Sequence, residues 1–252
     1  MEENKAKVKS LYKALRLLDC FDIKNPELGI KELSERSGLL KSSVHNIVST
    51  FQMCGFIEKN SASGKYRLGK KLLTLSNILY STDQIKAIVK PYMDKISEEC
   101  NETVYLAFPS DTDVVYVEGS YPRGMFSTRS IVGVRVKMYC TGVGKAILAY
   151  SGEDSLQAVL DDGLKPFTPF TLTKETELRD ELDVTRERGY AIDNMEHEHG
   201  IRCVGVPVHN HSGQLIGAMS ISGPSLRMMD DSLILFAQKL KEAASEIESV
   251  LK

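Results

Sequence analysis

The chain has 252 residues, 42% of them apolar and 26% charged, which is enough for one or two ordinary globular domains and excludes a mini-protein held by disulfides or metal. Its 32 Lys and Arg against 34 Asp and Glu leave a net charge of −2, but the signs are segregated. Residues 1–81 carry 14 basic and 8 acidic side chains, a net of +6, while residues 82–252 carry 18 and 26, a net of −8, so the two segments call for different partners.

From Val8 the apolar residues Val8, Leu11, Leu15 and Leu18 recur at helical spacing, and the pattern stops at Asn25, Pro26 and Gly29. A short second helix follows, with Ile30 and Leu33 apolar, and ends at Gly38, which tolerates the left-handed turn. Ser42 or Ser43 can cap a third helix. Val44, Ile47, Val48 and Phe51 form its apolar stripe, leaving Lys41, Ser42, His45, Asn46 and Ser49 largely off it, and Gly55 closes it. Two short strands, residues 56–59 and 65–68, flank a loop of turn formers and read as a hairpin. This order is that of a winged helix-turn-helix, in which the third helix enters the DNA major groove and the hairpin reaches the flanking backbone.

A Leu-rich helical segment at residues 72–80 leads to a domain boundary near Ser81, giving a DNA-binding domain over 1–81 and a second domain over 82–252. The second domain opens with a helix carrying Ile85, Ile88, Val89, Tyr92, Met93 and Ile96 in phase. Beyond Glu102 the period becomes two: Val104, Leu106 and Phe108; Val115 and Val117; Val204, Val206 and Val208; Leu215, Gly217, Met219 and Ile221. Residues 210–213 form a hairpin loop between the last two runs, and Pro122 to Gly124 marks a loop. Helices fit at residues 142–150, 155–160, 174–188 and 230–251, the last with Leu233, Phe236, Leu240, Ala244, Ile247 and Leu251 on one face. The expected fold class is α+β, with an antiparallel or mixed sheet flanked by helices in the second domain.

Cys20, Cys54, Cys100, Cys140 and Cys203 are odd in number with no Cys-x-x-Cys spacing, which fits a reducing compartment. With no signal-like N-terminus and no run of about 18 apolar residues, the expectation is a cytoplasmic protein without membrane contact.

Four segments in order, "ELSERSGLLKSSVHNIVSTFQMCGFI" with "GKYRLGKKLLTL", "CTGVGKAILAY", "RGYAIDNMEHEHGIRCVGVPV" and "GAMSISGPSLRM", make the chain resemble the IclR family of bacterial transcriptional regulators over nearly its whole length. The resemblance implies an N-terminal winged helix-turn-helix, a linker helix that dimerises and a C-terminal GAF-like effector domain. One departure matters: many members have Arg where this chain has Asn46, so their base preference does not transfer.

Several constellations carry candidate chemistry. Lys41, Ser42, Ser43, His45, Asn46 and Ser49 suit a groove reader, with Lys and hydroxyls for phosphates and Asn46 able to pair twice with adenine, although a merely solvated face has the same composition. Lys65, Arg67, Lys70 and Lys71 are candidates for phosphate neutralisation. The run from Cys140 to Ala146 has Gly-Lys but lacks the earlier Gly and the following Ser or Thr of a phosphate loop, so no nucleotide cofactor is expected. What remains is a Gly-rich helix start at Thr141, Gly142 and Val143 that suits a small carboxylate or, equally, close helix packing. Ser220 and Ser222 share a strand face, and their hydroxyls with the Asp193 carboxylate and the Cys203 thiol, facing a helix N-terminus, would make a polar pocket for a small oxygenated ligand. The resemblance places effector-binding residues at these positions; the alternative is small strand residues and an inert thiol. Glu196, His197, Glu198 and His199 invite a metal reading that their spacing disfavours; Cys140 and Cys203 keep it open, and no metal or other cofactor is assigned.

The leading expectation is a sequence-specific regulator, in the first instance a repressor, that binds a pseudo-palindromic double-stranded operator as a homodimer or a tetramer of paired dimers and answers to a small organic acid. The competing class is a small-metabolite enzyme using Cys203 or Cys140 as nucleophile, which leaves the helix-turn-helix and its charge unexplained.

Overall fold

The computed structural model describes residues 6–22, 24–75, 84–122 and 131–251, and the chain divides into two compact units, Met1–Asp83 and Gln84–Lys252. In the first, α1 (Lys9–Leu18), α2 (Ile30–Ser37) and α3 (Lys41–Met53) precede a hairpin of β1 (Ile57–Lys59) and β2 (Tyr66–Leu68). Leu17, Phe21, Leu28, Leu33, Val44, Val48, Ile57 and Tyr66 form its core. Of the stripe read on α1, Leu18 packs against that core and the other three residues do not. Val8, Leu11 and Leu15 are 57%, 54% and 51% exposed, whereas Leu17, two residues from Leu15 and so on the opposite side of the helix, is fully buried.

The tight joint between α2 and α3 is made by local chemistry. Glu32 reaches back to accept the Gly29 N–H at 2.6 Å, fixing the start of α2, and Gly38 ends it at φ +71° with its N–H on Ser34 O. Neither Ser42 nor Ser43 caps α3: Leu40 holds the N-cap position in an extended conformation with no side-chain bond, and both serines lie in the first turn. The three-residue turn is so short that the helix starts before either serine can stand outside it. The hairpin is tied to the segment before α2 by Leu28 and Tyr66, which exchange two backbone bonds of 2.8 and 2.9 Å, while Asn60 and Ser63 of its loop both bond Glu27.

The second unit is a six-stranded antiparallel sheet in the order β5-β4-β3-β8-β7-β6, built from β3 (Thr103–Ser110), β4 (Asp113–Ser120), β5 (Arg135–Lys137), β6 (Ala191–Asn194), β7 (Ile201–His209) and β8 (Leu215–Pro224). On one face α4 (Gln84–Cys100) and α8 (Asp230–Val250) pack on Val104, Leu106, Val204, Val206, Val208, Met219 and Ile221. On the other, α5 (Gly142–Tyr150), α6 (Glu153–Asp162) and α7 (Glu175–Arg188) pack on Tyr105, Ala107, Val114, Tyr116 and Ala218. The core phase of β4 differs from its sequence reading: Val114 and Tyr116 are buried, while Val115 and Val117 are only half-buried, because a sheet covered on both faces rewards either phase. The short edge strand β5 was not anticipated; three residues, two of them charged, leave no alternation to read. Residues 71–75 are helical, whereas residues 76–80 of the expected linker helix, the boundary at Ser81 and residues 123–124 of the expected loop lie outside the described set. Among the described residues no helix is long and apolar enough to cross a membrane.

Helix α5 meets β7 backbone to backbone. A Cβ at Gly205 would sit 2.5 Å from Gly142 O, closer than real side-chain contacts come. Gly205→Ala should therefore cost about 1–3 kcal/mol of stability, read from urea unfolding of the whole chain. A variant as stable as the parent would mean that α5 and β7 can part freely.

Candidate nucleic-acid interface and ligand site

On α3, Lys41, Ser42, Ser43, His45, Asn46 and Ser49 are all exposed while Val44 and Val48 are buried, so the apolar stripe anchors the helix and its polar side is presented outward. The hairpin cations are less available. Lys65 Nζ is 2.9 Å from Glu32 Oε1, so it reaches back to α2, and Arg67 lies 3.3 Å from Glu58 Oε2. Both carboxylates are drawn below their ordinary range, Glu32 first by the Gly29 N–H and Glu58 first by the Lys70 N–H. Such solvent-screened pairs are weak, so a phosphate can compete for the cations. Lys41, Lys70 and Lys71 are exposed as well.

In the second unit the pairing register brings Asp193, Cys203 and Ser222 side by side across β6, β7 and β8, with Ser220 two residues along on the same face. Asp193, Ser220 and Ser222 are 3%, 2% and 7% exposed. The Cys203 thiol donates to Ser222 Oγ at 3.1 Å. Above this row starts α5. Gly142 sits over Cys203, Val143 is buried, and Thr141 is the N-cap, its Oγ1 accepting the Gly144 N–H at 3.2 Å. The Thr141 hydroxyl is thus engaged by its own helix, and Gly144 and Gly205 rather than Gly142 are the glycines that close packing demands, while the helix geometry leaves the N–H groups of Gly142 and Val143 without an intrahelical acceptor.

Asp193 accepts the Glu196 N–H at 2.7 Å, yet burial, and then the Glu196 charge, push its carboxyl up to about 7. Burial likewise raises the Cys140 and Cys203 thiols, with the Asp193 charge adding to it, so both keep their protons at neutral pH and lack the thiolate that a nucleophile needs. Two residues of this face were missed by the sequence reading: Tyr105 and Tyr116, buried edge to face with centroids 5.1 Å apart. Their signal was a polar-tipped aromatic in the phase between the apolar positions.

The Glu196 to His199 segment does not gather into a metal site. Glu196 turns inward to Lys145 at 2.6 Å, His197 stacks near Phe167 and His199 near Phe170, and among the described residues no group of three His, Cys, Asp or Glu converges.

A winged helix-turn-helix unit with an outward polar third helix, followed on the same chain by a separate α/β unit, is the build of a DNA-binding transcriptional regulator. Residues 10–61 match the IclR helix-turn-helix domain and residues 78–249 the bacterial transcriptional regulator IclR C-terminal domain. The chain is 34% identical over 245 residues to the HTH-type transcriptional regulator XynR of Escherichia coli K12, covering 97% of each, and 30% identical over 243 residues to the transcriptional repressor IclR of the same organism, covering 95% of this chain and 89% of that one. It shares its fold with the crystal structure of an IclR homolog from Microbacterium hydrocarbonoxydans complexed with 4-hydroxybenzoate, at a TM-score of 0.82 and 24% identity, covering 95% and 98% of the two chains. The chain belongs to the IclR family of transcriptional regulators, whose named relatives are regulators and repressors rather than enzymes.

The raised Asp193 carboxyl has a signed consequence. The folded protein holds its proton between about pH 4 and 7 where the unfolded chain does not, so this group contributes stability below pH 4 that is lost as pH rises through 7. Urea melts from pH 4 to 8 should show Asp193→Asn gaining on the parent as pH rises; parallel profiles would mean that Asp193 titrates as an ordinary surface acid.

Proposed function

We propose that this protein is a homodimeric, sequence-specific repressor, working in the cytoplasm, whose α3 helix reads a pseudo-palindromic operator and whose second unit binds a small organic acid. The observation that carries the DNA part is the complete exposure of the polar side of α3 over its buried apolar stripe. In this reading Asn46 makes the paired base contact, Lys41, Ser42, Ser43, His45 and Ser49 make phosphate or base-edge contacts, and Lys65 and Arg67 leave Glu32 and Glu58 for the backbone flanking the groove. The exposed Val8, Leu11 and Leu15 give α1 an apolar side suited to a second subunit. A dimer of such heads prefers half-sites about one helical turn apart, or a multiple.

For the ligand part, support comes from the row Asp193, Cys203 and Ser222 with Ser220, set beneath the N-terminus of a buried helix. An organic acid would direct its carboxylate to the N–H groups of Gly142 and Val143 beside Thr141 and its hydroxyl or oxo group to Asp193 and the serines. The 4-hydroxybenzoate carried by the Microbacterium homolog belongs to this broad class. The coupling to DNA would amount to about 1–3 kcal/mol.

Two experiments test the parts separately. With an operator selected from random DNA, Asn46→Ala should relax preference at one position of each half-site by about 1–3 kcal/mol, and Lys41→Ala should flatten the log–log salt dependence by about 0.9. Unchanged preference at every position would remove Asn46 from the reading face. Thermal shift of the whole chain against lactate, glycerate, pyruvate and 4-hydroxybenzoate should find a stabiliser whose effect reaches about 2.7 kcal/mol at a hundred times its Kd and vanishes in Asp193→Ala. No stabiliser, or one that acts equally on the variant, overturns the assignment of this site to organic acids.

A further inference from the structure

Lys145 points from α5 into the interior with 1% of its surface exposed. Its helical neighbours Val143, Ala146, Ile147 and Leu148 are apolar and buried, so an unbranched apolar side chain would serve packing there as well. An ammonium survives such a place only when paired. Its Nζ is 2.6 Å from Glu196 Oε1 and 3.5 Å from Glu181 Oε1, and Glu181 in turn holds Arg188 at 2.7 Å.

The pair leads to the ligand site. Glu196 Oε1 also accepts the Asn194 N–H, Oε2 is buried without a hydrogen-bond partner, and the Glu196 N–H donates to Asp193 Oδ1. The turn between the two acids is strained, since Met195, which is not a glycine, sits at φ +62°. Thr168 Oγ1 on Met195 O at 2.7 Å and Thr171 Oγ1 on Glu196 O at 2.6 Å restrain it from the other side. A relay of two bonds thus joins the Lys145 ammonium to the Asp193 carboxylate.

We propose that Lys145 is a positioning residue for the ligand site: through Glu196 it fixes the Asp193 carboxyl beneath the start of α5 and sets the charge which that carboxyl carries. This rests on the reading of Asp193 as a ligand contact. The titratable groups that face Asp193 are Glu196, whose own carboxyl burial pushes up and Lys145 draws back down, Lys145 itself, the Cys203 and Cys140 thiols and the Tyr116 phenol. Glu196 favours the protonated acid and Lys145 the carboxylate. With Lys145 in place, Asp193 keeps a carboxylate fraction at neutral pH that only accepts, as from a ligand hydroxyl; without it, the site presents a carboxylic acid, which gains an O–H donor and keeps a weaker acceptor.

The test is the titration of the Asp193 side-chain carboxyl carbon by NMR in the whole protein, which needs no ligand. Lys145→Met should raise its midpoint by about one pH unit or more and speed hydrogen exchange of the Glu196 N–H. Because Lys145→Met leaves Glu196 buried without its cation, it can fail to fold or make Glu196 take up a proton of its own, so the deciding comparison removes the same lysine in the Glu196→Gln background, where no orphaned charge remains. Glu196→Gln alone should titrate below the parent, and Lys145→Met/Glu196→Gln above Glu196→Gln. Equal midpoints with and without Lys145 overturn the proposal, even if the variants are less stable, since a purely structural role would lower stability without moving that titration. If the panel acids fail to bind the parent while the midpoints move as stated, the organic-acid reading falls and the role of Lys145 in setting Asp193 stands.

Discussion

The contact between α5 and β7 is made by main chain, and the rest of the second unit's chemistry depends on it. With no side chain between Gly142 and Gly205, the helix start is lowered onto the strand until Gly142 stands over Cys203. A side chain at Gly205 would lift the helix and open the row of Asp193, Cys203 and Ser222 to water. Solvent would then screen the Lys145–Glu196 pair and return Asp193 toward an ordinary carboxylate. Close packing and ligand chemistry compete as explanations of the glycines in the sequence; in the structure a Cβ at Gly144 or Gly205 would collide with backbone, and the close seating this allows desolvates the polar groups.

The two units handle charge in opposite ways. In the first, ion pairs such as Lys65–Glu32 and Arg67–Glu58 are half-exposed, cheap to break and screened by salt, which suits a surface that must exchange its partners for phosphates. In the second, Lys145, Glu196 and Asp193 are enclosed, and a single uncompensated charge there is far more expensive. The net +6 and −8 of the two segments describe their long-range fields, whereas these local environments decide which charges can be traded.

How much of this was legible in the sequence follows from where each signal lies. The order of helices and hairpin in the first unit was readable because Gly38, the stripe Val44, Ile47, Val48 and Phe51, and the turn formers at 60–64 are local signals. The inner side of α1 was not, because both of its sides carry leucines and only packing against α2 and α3 selects Leu17 over Leu11 and Leu15. The N-cap of α3 was misplaced for a related reason: the length of the preceding turn, not the residue type, sets where the helix begins. In the sheet, alternation revealed one face of each strand and hid the other, so Ser220 and Ser222 were correctly placed on a common face while Tyr105 and Tyr116 beside them went unread. Lys145 and Glu196 are 51 residues apart, and nothing local marks either as buried.

The same construction separates stiff from compliant parts of the ligand site. Strands β3, β7 and β8 are paired on both edges, and α5 is seated against backbone, so neither can yield without losing ladder bonds or close contacts. The turn after Asp193 is held differently. Its strained Met195 is restrained by the hydroxyls of Thr168 and Thr171 and by one buried ion pair, and its two histidines rest near the half-exposed rings of Phe167 and Phe170. A bound molecule shifts a conformational equilibrium only by interacting unequally with the two states, and in the proposed ligand reading the unequal part would fall on this turn. A ligand that competes with the Glu196 N–H for Asp193 would loosen that turn, while one that leaves the bond intact would add its own contacts and stiffen it. Asp193 accepts both the Glu196 and the His197 N–H, so a molecule bound at that carboxyl would report through the two bonds that tie it to the turn.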